Sequence, residues 1–256
     1  ETYDAIVEPV DDRAYTLVAE SVDRSGMAVA TLAPRPGMTA VVPPLRKRPL
    51  ATMTDMGMGG MDHGGGGTAG GCTPEHAAMG HCKMPEAGDH AAAAPAAPMK
   101  HGMRDFSVAP GVKKTPTVQS ISPMPVDRMG DPGQGLADVG HRVLTYRDLV
   151  AVERNPDIRA PERAMRIHLT GNMERYMWAF DGEKLSEVKA PIPFLEGERV
   201  RVTLVNDTMM GHPIHLHGHF FELVTGHGDY APRKHTVNVQ PGGTATFDFT
   251  ADAVEI

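Results

Sequence analysis

A long stretch with almost no large apolar side chains divides this sequence in two and most limits what the chain can fold into. Between residues 50 and 135, Gly, Ala, Pro, Met and His dominate, and Val, Ile and Phe are nearly absent before Phe106. Such a composition buries too little apolar surface to offset the conformational entropy lost on folding. We therefore expect residues 46–139 to be a long, disordered linker between two folded parts.

The residues before this linker show the alternation typical of β-strands. β-Branched residues alternate with others over residues 2–10, 13–21 and 27–35, with Asp-Asp and Ser-Gly turn signals between these runs. Three strands bury too little surface to form a sandwich core alone. Because the chain also opens without Met, we expect residues 1–45 to be the last strands of a β-domain whose other strands precede residue 1, with both ends of the chain cut.

The residues after the linker alternate again. The alternating apolar positions are Met165, Ile167 and Leu169; Val200, Val202 and Leu204; and Ala245, Phe247 and Phe249. Gly-rich and Pro-rich turns separate these runs, and only residues 146–152 favour a helix. The pattern predicts an antiparallel sandwich or barrel over residues 140–256, so the fold class is all-β.

Charge and hydropathy exclude two kinds of partner. The net charge is -7 and no basic block occurs, which argues against nucleic-acid binding. No apolar run reaches the roughly 20 residues that a membrane-spanning helix needs. The N-terminus also lacks the charged and apolar pattern of a targeting signal.

Four of the 13 histidines lie within eight residues, and they are the strongest functional signal. They are His212, His215, His217 and His219. On a continuous strand, His215, His217 and His219 would share one face, while Ile214 and Leu216 point to the core. His212 lies across Pro213, which should bar regular pairing and direct its ring elsewhere. Such a cluster predicts metal ligation, although imidazole suits Cu, Zn, Ni and Fe alike.

Two other metal-site families fit less well. The helical zinc-protease motif is absent, since no Glu follows these histidines directly. A cupin, with a mononuclear metal, remains a remote alternative, because His215, His217 and Glu222 are followed later by a Pro-Gly-Gly turn. The position of the last cupin ligand, however, holds Thr246.

The linker is rich in soft metal donors. Between residues 53 and 103 there are eight Met, five His and both Cys. The candidate ligands are Met53, Met56, Met58, Met61, His63, Cys72, His76, Met79, His81, Cys82 and Met84. Thioether and thiolate sulfur select Cu(I), so copper capture is the interpretation that we favour over incidental composition. Cys72 and Cys82 could instead form a disulfide.

The run His-Pro-Ile-His-Leu-His-Gly-His, preceded by Val-Asn-Asp-Thr-Met-Met, closely resembles a motif of multicopper oxidases, in the laccase-like copper-resistance protein A branch. Further likeness covers residues 1–33, 144–149, 178–182 and 233–237. The resemblance implies cupredoxin-like β-sandwiches with Greek-key connections. It makes residues 1–45 the end of a second such domain and residues 140–256 an incomplete third, with the first domain missing.

Carried over by position, His212 resembles a type 1 copper ligand, His215 a type 2 ligand and His217 a type 3 ligand, whereas His219 is not a ligand. In the family, type 1 copper takes single electrons from a donor, and a trinuclear cluster reduces O2 to water. The chain departs from the pattern, because the closing His-Cys-His motif is expected after residues 251–253 but the sequence ends at Ile256. Lys83, beside Cys82, stands where that motif needs its second His, so the linker does not replace it.

We therefore expect a copper-binding fragment of a periplasmic oxidase that acts on Cu(I) or phenolic donors in copper resistance, with the fragment alone inactive. The alternative is a non-catalytic copper-sequestration module. A second chain could supply the missing segments and ligands. His141, His168 and His227 are expected to be surface or core residues, and Trp178 a core aromatic. His235 lies within a matched segment, and no ligand role follows for it.

Overall fold

The computed structural model describes residues 3, 5–50, 52, 55 and 104–253. In these residues the secondary structure is β-strand and short 3₁₀ turns, which confirms the all-β prediction. The strands are β1 Tyr15–Glu20, β2 Met27–Leu32, β3 Val126–Asp127, β4 Arg163–Asn172, β5 Met177–Phe180, β6 Arg199–Asn206, β7 His212–His215, β8 Phe221–Leu223, β9 Arg233–Lys234, β10 Thr236–Val239 and β11 Gly243–Thr250. The 3₁₀ turns are Tyr146–Asp148, Leu185–Glu187 and Gly228–Tyr230.

The main sheet has the strand order β5-β4-β6-β11-β8-β9, and β3 pairs with β11. β4 and β6 run parallel, while β6 and β11 form a long antiparallel ladder. All three alternating apolar runs of the C-terminal part are strands of this sheet, as predicted: β4, β6 and β11. The predicted helix is reduced to the single turn Tyr146–Asp148.

β7 and β10 form a separate two-stranded sheet that packs on the main sheet. Val237 and Val239 of β10 are fully buried in the same apolar cluster as Leu169, Leu204 and Phe249 of the main sheet. Alternation places these side chains between the two sheets. The core therefore supports β7, the strand that begins the histidine run.

The N-terminal part forms only a hairpin. β1 and β2 pair from Tyr15↔Leu32 to Glu20↔Met27, which confirms two of the three predicted strands. The third, residues 2–10, is wrong for the residues described, since 5–10 form no strand. Ile6 and Val10 are almost fully exposed, so this segment has no sheet to cover it in the described part of the chain.

Residues 104–139 pack against the sandwich, although the composition assigns them to the linker. Ala109, Val112, Val118 and Ile121 form a small second core. The outer face of β4 is covered as well, so that Thr170 is fully buried. These apolar residues are scattered among turns and show neither a strand nor a helix period, which is why the sequence pattern overlooks them. The boundary expected at residue 140 thus falls inside the folded part.

Across the described residues, no helix has the length and apolar character needed to cross a membrane.

Candidate metal centre

β7 carries the first two histidines of the run and turns them to opposite sides. It pairs antiparallel with β10, with His212 opposite Val239 and His215 opposite Thr236. His212 and Ile214 are half-buried, whereas Pro213 and His215 are exposed. The strand period of two explains why His212 and His215 face different surroundings, as the sequence predicted.

Two details of the predicted histidine strand are wrong. The strand ends at His215, and His217 begins a turn in which Gly218 has a φ of 66°. A residue in the left-handed backbone conformation ends the alternation of an extended strand, and glycine adopts this conformation without strain. Pro213 also lies inside the ladder, opposite Asn238. A proline is tolerated there because, among the described residues, β7 pairs on one side only.

His212 has a ring nitrogen that is available to a metal. Its Nε2 is buried and has no hydrogen-bond partner among the described residues. The indole of Trp178 packs against the imidazole, with ring centroids 4.4 Å apart and planes at 87°. Burial lowers the pKa of His212, which favours the neutral ring with a free electron pair. An orphaned, desolvated imidazole nitrogen fits a copper ligand.

His215 is held by its other nitrogen. Its Nδ1 lies 2.7 Å from the backbone carbonyl oxygen of His235, so Nδ1–H donates to that oxygen. A proton on Nδ1 leaves Nε2 as the acceptor, the arrangement typical of metal-binding histidines. The ring of His217 lies with its centroid 4.8 Å from that of His215. These two exposed imidazoles thus form one cluster on the side of β7 away from His212.

His235 belongs to the same cluster, which the sequence did not reveal. Its ring centroid is 5.1 Å from that of His215, and the two Nδ1 atoms are 3.3 Å apart. The hydroxyl of Thr236 lies 3.1 Å from His235 Nδ1. Only the pairing of β7 with β10 brings residues 20 positions apart together. An alternating pattern around residues 236–239 could have located β10, but not its partner strand.

His219 points away from this cluster. Its Nδ1 lies 2.9 Å from the carbonyl oxygen of His217, and its ring packs on Phe249 with centroids 5.6 Å apart. The backbone N–H of Ala253 points at its Nε2 from 3.4 Å. Both ring nitrogens therefore have protein partners.

The described residues do not complete a metal shell. Across residues 3, 5–50, 52, 55 and 104–253, no group of three or more His, Cys, Asp or Glu is arranged to hold a metal ion. The predicted linker ligands lie outside the described residues: Met53, Met56, Met58, Met61, His63, Cys72, His76, Met79, His81, Cys82 and Met84.

The remaining aromatic and histidine predictions have mixed outcomes. His168 is a core residue, as expected, with Nδ1 2.7 Å from Asp207 Oδ2. Trp178 is not a core aromatic: 40% of its surface is exposed, because β5 is the edge strand of the main sheet.

Comparison with known proteins gives a family for the segment that carries the clustered histidines. Residues 159–255, which include all four clustered histidines, match the family Multicopper oxidase. The chain carries a multicopper oxidase domain. It is 46% identical, over 99% of its length, to "Copper resistance protein A homolog" of Pseudomonas syringae pv. tomato. It is 44% identical, again over 99% of its length, to "Copper resistance protein A" of Escherichia coli.

The chain spans 42% and 44% of those two proteins, less than half of each. A solved structure, the 2F4 variant of the McoA multicopper oxidase from Aquifex aeolicus, is 25% identical over 40% of this chain and 25% of its own, with a TM-score of 0.32. Multicopper oxidases are built from cupredoxin-like domains, and the two packed sheets agree with the cupredoxin-like sandwich expected from the sequence. The match to this family implies a copper cofactor.

Proposed function

We propose that this chain is the copper-binding part of a multicopper oxidase that oxidises Cu(I) or phenolic donors and reduces O2 to water in copper resistance. The supporting observation is the state of two histidines. The Nε2 atom of His212 is buried and has no hydrogen-bond partner among the described residues. The ring proton of His215 lies on Nδ1, where it is donated to the carbonyl oxygen of His235, so that Nε2 of His215 carries a free electron pair. Two imidazoles prepared in this way on one short strand favour metal binding over a structural role.

Each histidine of the run has a proposed role. His212 would bind the type 1 copper, His215 the type 2 copper and His217 a type 3 copper, while His219 braces the turn. The opposite faces of His212 and His215 support two separate centres. Bound copper would supply the one-electron chemistry that joins a donor to O2. The chain's own residues orient the imidazoles and keep water from His212.

The donor proposal has support beside His212. Met209 and Met210 precede it in sequence, and they are 40% and 45% exposed. Thioether sulfur is a soft ligand that prefers Cu(I). Cu(I) is therefore the donor that this surface favours.

The proposal extends to the whole protein. Residues 1–45 would end a second cupredoxin-like domain. The copper-collecting linker would lie before residue 104, and the residues from 104 onward, which pack together, would form most of a third domain in the periplasm. Further ligands would come from segments beyond this chain or from another chain. The family match of residues 159–255 gives the cupin alternative no support.

A second candidate function is copper sequestration without turnover. It is favoured by the incomplete metal shell of the described residues and by the Met, His and Cys content of residues 53–103. Such a module would bind copper tightly in the linker without reducing O2.

A copper titration separates the two functions. Bound copper per chain, visible and paramagnetic resonance spectra and O2 consumption with a phenolic donor are measured for the full chain, for His215→Ala and for a linker deletion. The exposed His141→Ala is the matched control. If the chain is the copper-binding part of an oxidase, His215→Ala binds less copper than the unaltered chain, both with the linker and without it. Copper lost only with the linker would instead favour sequestration, and no copper at either place would overturn both candidates.

A further inference from the structure

The turn between β6 and β7, residues 207–211, leads directly into His212. Its two large apolar side chains, Met209 and Met210, are partly exposed. Gly211 stands immediately before His212, and glycine has more backbone freedom than any other residue. Apolar packing of this turn is therefore incomplete, so polar contacts carry more of its structure.

A buried amide lies beneath the turn. Asn206 ends β6 and is fully buried. Its Nδ2 donates to the backbone carbonyl oxygens of Met210, at 2.6 Å, and of Val239, at 2.9 Å. Its Oδ1 accepts the backbone N–H of Thr208 at 2.9 Å and the hydroxyl of Thr208 at 2.8 Å. Both ends of the amide are used, and a reversed amide would set its oxygen against two carbonyl oxygens.

The two carbonyl groups lie on either side of His212. Met210 comes two residues before it in the chain, and Val239 is its partner across the ladder of β7 and β10. The hydroxyl of Thr208 also accepts the backbone N–H of Met210 at 3.3 Å. One planar side chain on the main sheet thus connects the approach to His212 with the strand that faces it.

We propose that Asn206 is a positioning residue for copper binding at His212, and that Thr208 assists it. This inference rests on the proposed copper function of His212. A ligand that is held in place beforehand binds a metal more tightly, because binding does not then have to order it. Asn206 fixes the backbone on both sides of His212, and with it the place from which the imidazole projects.

The positioning role is tested by copper titration of variants of the full chain. Competition with a chromophoric chelator gives the affinity of two copper equivalents, one that His212→Ala removes and one that His215→Ala removes. Asn206→Asp keeps the shape of the side chain and an acceptor for Thr208, but it removes both donated hydrogen bonds. Outer-shell partners of metal ligands are worth about 10–100-fold in affinity, and Asn206→Asp should weaken the His212-dependent equivalent by about 10-fold. The paramagnetic resonance spectrum of that equivalent should change, while the His215-dependent equivalent stays the same.

Asn172→Asp is the matched control. Asn172 ends β4 as Asn206 ends β6. Its Nδ2 donates to the carbonyl oxygen of Pro116 at 3.0 Å, and its Oδ1 accepts the backbone N–H of Glu174, two residues on, at 3.1 Å. The control therefore removes the same kind of donor from a strand end without touching the turn before His212. Both copper equivalents should keep their affinity.

Thr208→Val keeps the test decisive if Asn206→Asp does not fold. It removes the hydroxyl and leaves both donors of Asn206 in place, so it should weaken the same equivalent by a smaller factor. Thr117→Val is its control, because Thr117 is also buried and its hydroxyl donates to the carbonyl oxygen of Gly182 instead. Circular dichroism of each metal-free variant confirms the fold before copper is added.

The outcomes separate this inference from the proposed function. If His212→Ala removes no copper equivalent, the copper role of His212 fails. If it removes one, but the folded variants of Asn206 and Thr208 leave its affinity and spectrum unchanged, the positioning role fails and the copper role stands. Equal weakening of both equivalents would reveal a general loss of structure and would also overturn the positioning role. A loss confined to the His212-dependent equivalent supports it.

Discussion

At the scale of single residues, Gly171 is the position where one added carbon has the clearest effect. A Cβ there would meet the indole of Trp178 at 3.0 Å and the carbonyl oxygen of Met177 at 3.1 Å. Gly171→Ala should therefore displace the indole, red-shift its fluorescence as it becomes more exposed, and cost about 1–3 kcal/mol of stability. Gly111→Ala is the control, because nothing lies within 4 Å of its added Cβ. An unchanged emission spectrum in Gly171→Ala would contradict this close contact between Gly171 and the indole.

Asp157 gives the clearest dependence of stability on pH. The hydrogen bond from the guanidinium of Arg159 lowers the pKa of Asp157, and the hydroxyl of Thr250 adds to the effect. A carboxyl group with a lowered folded pKa contributes stability above its unfolded pKa, 3.8, and loses it as pH falls through the folded value. Asp157→Asn should lower stability at pH 7 and flatten its decline below pH 4. Urea unfolding from pH 7 to pH 2.5 measures both, with the exposed Asp138→Asn as control.

At the scale of secondary-structure elements, the sequence predicts those strands whose environment is repetitive. β4, β6 and β11 each bury alternate side chains in one core, so their pattern shows in the sequence. The end of β7 at His215 depends on one left-handed glycine, and the pairing of β7 with β10 depends on tertiary structure. The place of His235 beside His215 follows from that pairing, which is why composition and periodicity did not reveal it.

β10 pairs with β7 and anchors it to the core, so a loss of packing in β10 should also loosen the strand that carries the histidines. Val237 is fully buried opposite Ile214. Val237→Ala removes two buried methyl-sized groups and should cost about 2–3 kcal/mol. Urea unfolding followed by circular dichroism should show a lower midpoint with an unchanged slope. Val152→Ala, at a position that is 95% exposed, should leave the midpoint unchanged.

At the scale of the whole molecule, a buried carboxylate joins residues 104–122 to the sandwich. Asp207 follows β6, and its Oδ1 accepts the backbone N–H of Ser122 at 2.9 Å while its Oδ2 lies 2.7 Å from Nδ1 of His168. Its backbone carbonyl also accepts the hydroxyl of Ser120 at 2.6 Å. The small core that contains Val118 is thus attached to the segment that leads directly into the histidine run. Composition alone assigns residues 104–139 to the linker because these bonds are invisible in the sequence.

Asp207→Ala should release this attachment. It leaves the N–H of Ser122 and the ring of His168 without their acceptor in a buried place, at a cost of about 2–5 kcal/mol. Hydrogen exchange should then lose protection across residues 105–122 before the strands of the main sheet open. Asp207→Asn keeps an oxygen for Ser122 and should retain most of that protection, which separates the hydrogen bond from the charge. Unchanged exchange in Asp207→Ala would mean that the other attachments hold the segment without Asp207. They include the small apolar core and the backbone hydrogen bonds from Lys113 to Asp181 and from Gln119 to Gly171.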